Sequence, residues 1–88
     1  MRVVVKYLLW MREKAGTNKE EYILEENNTI EDLLEKIISR HVNLRKYLTL
    51  PFTQENPVLI TINGHTARPG ARLKENDTVT IMPQVSGG

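Results

Sequence analysis

Thr29-Ile30-Glu31-Asp32-Leu33-Leu34-Glu35-Lys36-Ile37-Ile38 is the stretch on which the fold turns. Ile30, Leu33, Leu34, Ile37 and Ile38 recur at i, i+3, i+4, i+7 and i+8, a stripe along one face of an α-helix. Thr29 has the side chain of an N-cap, and Asp32 three residues on makes a capping box with the shorter acid. Arg40 and His41 fall in the last turn, where positive charge complements the exposed carbonyls. A single helix with one apolar stripe needs a sheet to cover, so the flanking segments are read for strands.

On the N-terminal side, residues 2–10 alternate as a strand with Val3, Val5, Tyr7 and Leu9 on one face and Arg2, Val4, Lys6 and Leu8 on the other. Residues 11–15 read as a short helical turn closed by Gly16, and a second strand around residues 21–24 completes a hairpin with the first. On the C-terminal side, Leu44, Tyr47 and Leu48 suggest another short helical turn before Pro51. Val58, Ile60 and Ile62 then alternate with Leu59 and Thr61, and Asn63-Gly64 signals a tight hairpin turn. Pro69-Gly70 marks a loop, and the last strand spans residues 78–82 with Val79 and Ile81 facing the core. The order is β-β-α-β-(β)-β, an α+β fold with a mixed sheet of four or five strands packed on one main helix.

The 88-residue length fits one domain with a single core. Apolar residues at 40% and charged residues at 26% describe a soluble globular chain, against disorder and against a membrane span. Lys6, Arg12, Glu13 and Lys14 interrupt the early apolar stretch before it could serve as a secretory signal, which makes the cytoplasm the expected location. A net charge of +1 with interspersed signs gives no basic face for nucleic acid. With no cysteine, disulfides, a thiolate nucleophile and a Cys-based metal site are excluded. His41 and His65 lack metal-ligand spacing and read as a helix-end cation and a turn residue. The glycines form no strand-loop-helix phosphate cradle, so no cofactor is expected on this chain. Glu20, Glu21, Glu25 and Glu26 read as solvated positions, and Trp10 as either core or interface.

The remaining chemistry lies in Pro83-Gln84-Val85-Ser86-Gly87-Gly88. This segment follows the last strand directly and is expected to project as a flexible tail, dividing the chain into a domain over residues 1–82 and a tail over residues 83–88. Gly87 and Gly88 lack Cβ and enter a narrow channel in conformations other residues resist. Ser86 keeps the approach slim, and Pro83, with fixed φ and no N–H, is placed to stop the strand from pairing onward. A frayed terminus is the plain alternative.

The chain resembles the small subunit of molybdopterin synthase and the thiamin-pathway sulfur carriers, which are ubiquitin-like sulfur carrier proteins, along with the small archaeal ubiquitin-like modifiers. The likeness runs nearly end to end. It is carried by Val3-Val4-Val5-Lys6-Tyr7, Met11-Arg12-Glu13-Lys14-Ala15-Gly16, Thr29-Ile30-Glu31-Asp32-Leu33-Leu34, residues 58–64 and the Gly-Gly tail. Met82 and Gln84 depart from it, standing where the family usually has an aromatic residue and a second proline. The resemblance implies a ubiquitin-like β-grasp fold and a tail that is itself the reacting group. An E1-like adenylyltransferase would use ATP to adenylate the Gly88 carboxylate, and a sulfur donor, a cysteine desulfurase or a rhodanese-like protein, would replace AMP to give a thiocarboxylate. A synthase large subunit would then receive the sulfur for molybdenum or tungsten cofactor synthesis. This chain would be a co-substrate or non-catalytic subunit. The alternatives are conjugation through Gly88 to lysines of other proteins, or sulfur carriage for thiamin thiazole or tRNA thiolation.

Strand alternation adds a surface. If Val3, Val5, Tyr7, Val58, Ile60, Ile62, Val79 and Ile81 face the helix, Val4, Leu8, Leu59 and Met82 lie on the opposite, wet face. A contiguous apolar patch there, next to Pro83, Val85 and Ser86, is expected to dock the protein partners. Scattered exposed apolar residues, which are common, are the plain alternative.

Overall fold

The structure is a computed structural model that describes residues 1–49 and 57–84. The elements run β1 (Arg2–Tyr7), α1 (Trp10–Ala15), β2 (Lys19–Ile23), α2 (Ile30–Arg40), a 3-10 turn (Val42–Leu44), α3 (Arg45–Leu48), β3 (Val58–Ile62), β4 (His65–Thr66) and β5 (Thr78–Pro83). The sheet order is β2-β1-β5-β3-β4. β1 and β5 pair in parallel at its centre, and the other neighbours are antiparallel. The first and last of the described strands therefore lie side by side.

The helix forms as its pattern predicts. Thr29 is extended, its hydroxyl accepts from the Asp32 amide, and the Asp32 carboxylate accepts from the Thr29 amide at 2.7 Å, so both halves of the capping box are made. Ile30, Leu33, Leu34 and Ile37 are buried in one cluster with Val3, Val5, Tyr7, Val58, Ile60, Val79 and Ile81, and Ile38 and Ile62 pack on its margin. The apolar stripe of α2 thus shares one core with the inward face of the sheet. Thr29→Ala removes the cap acceptor and is expected to cost about 1 kcal/mol. Thermal unfolding followed by circular dichroism should show a fall in Tm of about 4–8 °C.

Two turns explain the local chemistry of their residues. Gly16 closes α1 in the left-handed region at φ 77°, where a Cβ would be strained. Asn63 and Gly64 both have positive φ, at 51° and 85°, the backbone of the tight turn between β3 and β4.

Three expectations change. Strand β1 ends at Tyr7, and Leu9, expected on the core face, is 60% exposed. Its backbone stands at φ 56° and ψ −136° as the chain swings into α1, and Met11 fills the core in its place with no exposed surface. The first two strands do pair antiparallel, with α1 carried in their connection and β2 starting at Lys19. Strand β5 extends through Pro83, which pairs with Val58, and the Gln84 amide still donates to the Pro57 carbonyl at 2.6 Å. The Asn63 amide donates to Thr78 on β3's side and the Leu8 amide to Ile81 on β1's side. Alternation thus aims the nitrogen of Pro83 toward β1, past that strand's end, where no donor is required. Proline is tolerated here without ending the pairing to β3.

Candidate functional site

The sheet face turned away from α2 carries the residues expected to dock partners. Leu59 and Met82 are cross-strand partners. Because Lys6 is level with Thr80 in the parallel β1–β5 ladder, Leu8 falls level with Met82 on that face. The three form a row across the sheet, with Leu8 41% exposed and Leu59 and Met82 half-buried. The row lies at the end of the sheet where β5 leaves it. Val4 shares the face but stands beside Thr78 and Glu21, beyond the band occupied by Lys6 and Thr80. The apolar surface next to the end of β5 thus has three of the four expected members, and Val4 is separated from it by polar side chains. Pro83, half-buried, has the opposite parity and faces the other way. Val85, Ser86, Gly87 and Gly88 lie outside the described residues.

Sequence reasoning missed two exposed apolar residues that follow Leu8. Leu9 is turned outward by its backbone, and Trp10 beside it is 37% exposed with its ring 5.3 Å from that of Tyr47. A positive-φ leucine has no local signature, because nothing in its side chain favours that region. Trp10, left open between core and interface by the sequence, lies at the boundary.

The titratable centre of the domain is elsewhere, and it is structural. The carboxylate of Glu20 accepts from the Tyr7 hydroxyl at 2.6 Å, from the Tyr22 hydroxyl at 2.9 Å and pairs with His41 Nε2 at 2.8 Å. Arg40 reaches its other oxygen at 3.4 Å and lays its guanidinium over the Tyr22 ring. Glu20 is therefore no solvated position. Burial alone would raise its carboxyl, but the hydrogen bonds from Tyr7, Tyr22 and His41 and the His41 charge bring it below its ordinary value. Burial and the bond to Glu20 push the Tyr7 hydroxyl far up, and the Tyr22 hydroxyl up to about 12. These groups tie the C-terminal end of α2 to β1 and β2. His41 is the C-cap residue of α2 and serves this clamp.

Among the described residues, no three His, Cys, Asp or Glu side chains gather as a metal site. No helix among them is long and apolar enough to cross a membrane.

A mixed five-stranded sheet of this order, with α2 packed on one face and an apolar row at the end of β5 on the other, defines the ubiquitin-like β-grasp class. The chain belongs to the ThiS family, which it matches over residues 5–88. It is 32% identical to the molybdopterin synthase sulfur carrier subunit of Chlamydomonas reinhardtii, with all of both chains covered. A Pyrococcus furiosus protein described as molybdopterin converting factor subunit 1 superposes with a TM-score of 0.84 at 31% identity, covering 97% of this chain and 99% of that one. The small archaeal modifier protein 1 of Methanosarcina acetivorans superposes at 0.74 with 30% identity, covering 99% and 96%.

Proposed function

We propose that this chain is a sulfur carrier acting through the carboxylate of Gly88, as the small subunit of a molybdopterin synthase. The observation that carries this reading is the full-length correspondence, at 32% identity, to a molybdopterin synthase sulfur carrier subunit. The fold supports it by placing the end of β5 beside an apolar row, so that a partner seated on Leu8, Leu59 and Met82 stands close to Pro83.

In this scheme a carboxylate oxygen of Gly88 attacks the α-phosphorus of ATP on a partner enzyme, and pyrophosphate leaves. Sulfide sulfur from a donor then attacks the acyl carbon and AMP leaves, giving a thiocarboxylate. Its polarizable sulfur is the better nucleophile: it attacks a carbon of a pterin precursor on the large subunit, and an oxygen leaving group departs from that carbon. Water then cleaves the acyl–sulfur bond of the resulting thioester, leaving a thiolate on the pterin and restoring the carboxylate. The chain supplies no general base and binds no cofactor. ATP is consumed by its partner, in the cytoplasm. Because the chain has no cysteine, sulfur travels on its terminal carbon.

Incubation with the cognate activating enzyme, ATP and sulfide is expected to raise the intact mass by one oxygen-to-sulfur exchange. An unchanged mass, with an enzyme competent on its own carrier, rejects the proposal. The likeness to a small archaeal modifier protein motivates a second reading, conjugation to lysines from the same acyl-adenylate. It requires higher-mass conjugates in cell extract that vanish when Gly88 is deleted.

A further inference from the structure

The apolar row has a charged neighbour that the fold does not need. Lys6 on β1 lies directly opposite Lys19 on β2, both exposed and both on the face that carries Leu8, Leu59 and Met82. Like charges placed directly across a strand pair destabilise it. Among the described residues, neither ammonium has a carboxylate within ion-pairing reach. Glu21, the nearby acid on this face, is engaged by Arg2 at 3.6 Å, and Glu20 points to the opposite face into its own clamp. Among the described residues, the strand positions of this face hold Arg2, Lys6 and Lys19 against Glu21, and the Glu75 carboxylate accepts from the Arg2 amide at 3.0 Å. The excess of positive charge is therefore local to Lys6 and Lys19, on a chain whose net charge is only +1.

Lys19 alone would have an ordinary explanation, since β2 is an edge strand and an edge lysine discourages pairing with other chains. Lys6 has no such explanation, because β1 lies inside the sheet between β2 and β5. Across the sheet the lysine pair continues into Thr80, Thr61 and Thr66. A polar strip, cationic at one end, therefore runs alongside the apolar row, about 7 Å from it along the strand.

We propose that Lys6 and Lys19 are specificity-determining residues of the docking face. The ATP-dependent activating partner meets them with carboxylates while it seats an apolar side chain against Leu8, Met82 and Leu59. The choice of partner follows from the two kinds of contact. Activation is an encounter that forms and dissolves in every cycle, and complementary charge chiefly accelerates encounter and excludes wrong partners. A lasting subunit interface depends more on apolar burial. This assignment rests on Gly88 being activated by such a partner.

The test is ATP–pyrophosphate exchange by the activating enzyme as a function of carrier concentration and salt. With wild-type carrier, kcat/KM falls steeply as salt rises from about 0.05 to about 0.3 M, over which exposed charges become screened. The Lys6→Glu/Lys19→Glu variant is expected to raise KM about tenfold at low salt, with kcat within about twofold and the salt dependence flattened or reversed. Each single substitution falls between, and Lys6→Gln/Lys19→Gln loses the salt dependence without repulsion. Lys36→Glu/Lys74→Glu, a reversal of two exposed lysines on α2 and in the loop before β5, leaves KM unchanged. Equal KM and equal salt slopes for wild type and the Lys6→Glu/Lys19→Glu variant overturn the proposal, as does an equal loss in the Lys36→Glu/Lys74→Glu control. Salt-sensitive self-association in sedimentation, abolished by the Lys6/Lys19 reversal, assigns the face to a second copy and also overturns it. Failure of wild-type carrier to be activated at all is a different outcome, which removes the sulfur-carrier reading and this one with it.

Discussion

A chain extended by one alanine beyond Gly88 is expected to form no thiocarboxylate under conditions that convert the wild type completely. The reacting carbon in the proposed cycle is a terminal carboxyl carbon, so the extension converts it into an amide that cannot attack ATP. The new carboxylate stands about 3.5 Å further along the chain and carries a Cβ into a passage proposed to admit bare backbone. The described core cluster is built from residues between Val3 and Ile81, so Tm is expected to match that of the wild type, and intact mass after incubation with enzyme, ATP and sulfide is the readout. An extended chain that still gains sulfur at its end would remove the terminal carboxylate from the mechanism. The same extension separates carriage from a binding role of the same fold, which would survive it.

Glu20→Ala should produce the largest loss of stability among the single substitutions considered. The side chain of Glu20 is only 14% exposed and takes hydrogen bonds from residues on three elements: Tyr7 on β1, Tyr22 on its own strand and His41 at the end of α2. Its removal leaves the buried Tyr7 hydroxyl and the half-buried imidazole without an acceptor, at a cost of about 2–3 kcal/mol, or roughly 10–20 °C in Tm. The Glu20→Gln variant makes the pH dependence visible. Glu20 has a folded-state pKa below its ordinary value of 4.5, so its ionised form stabilises the fold at any pH above that value. The stabilisation is lost as pH falls through the lower folded-state value. Because glutamine stands in for the protonated acid, wild type and the Glu20→Gln variant should differ most near neutrality and converge in acid. Denaturant unfolding at neutral pH and at several pH values below 4.5 measures this, and a gap that stays constant would mean that ionisation of Glu20 contributes nothing.

The sequence is most readable where local chemistry and periodicity agree. Thr29 and Asp32 announce the start of α2, and Ile30, Leu33, Leu34 and Ile37 announce its buried face, because every one of these signals lies within three turns of chain. The inward faces of β1, β3 and β5 follow from alternation in the same way. Leu9 was unreadable because alternation continues through it in sequence, whereas the backbone turns there to bring Met11 into the core. Glu20 was unreadable for a different reason: its partners Tyr7 and His41 are 13 and 21 residues away and meet it only once helix and sheet have packed. On the candidate site, alternation correctly gave the outer face for Val4, Leu8, Leu59 and Met82. It could not supply the neighbours across strands, which place three of them in a row and Val4 apart. The facing of Lys6 by Lys19 is likewise a property of register alone.

The side-by-side placement of β1 and β5 has a consequence for biogenesis. β1 precedes the other four strands of the sheet in the chain, yet it is flanked by β2 on one edge and by β5 on the other, so about half of its backbone partners are translated after every other strand of that sheet. Nascent chains can assemble the β1–β2 pair and α2 early, but they close the sheet only when residues 78–83 have left the exit tunnel. A prematurely terminated product would show the unsatisfied flank of β1 to chaperones and proteases, so quality control would favour chains in which the last strand has been completed.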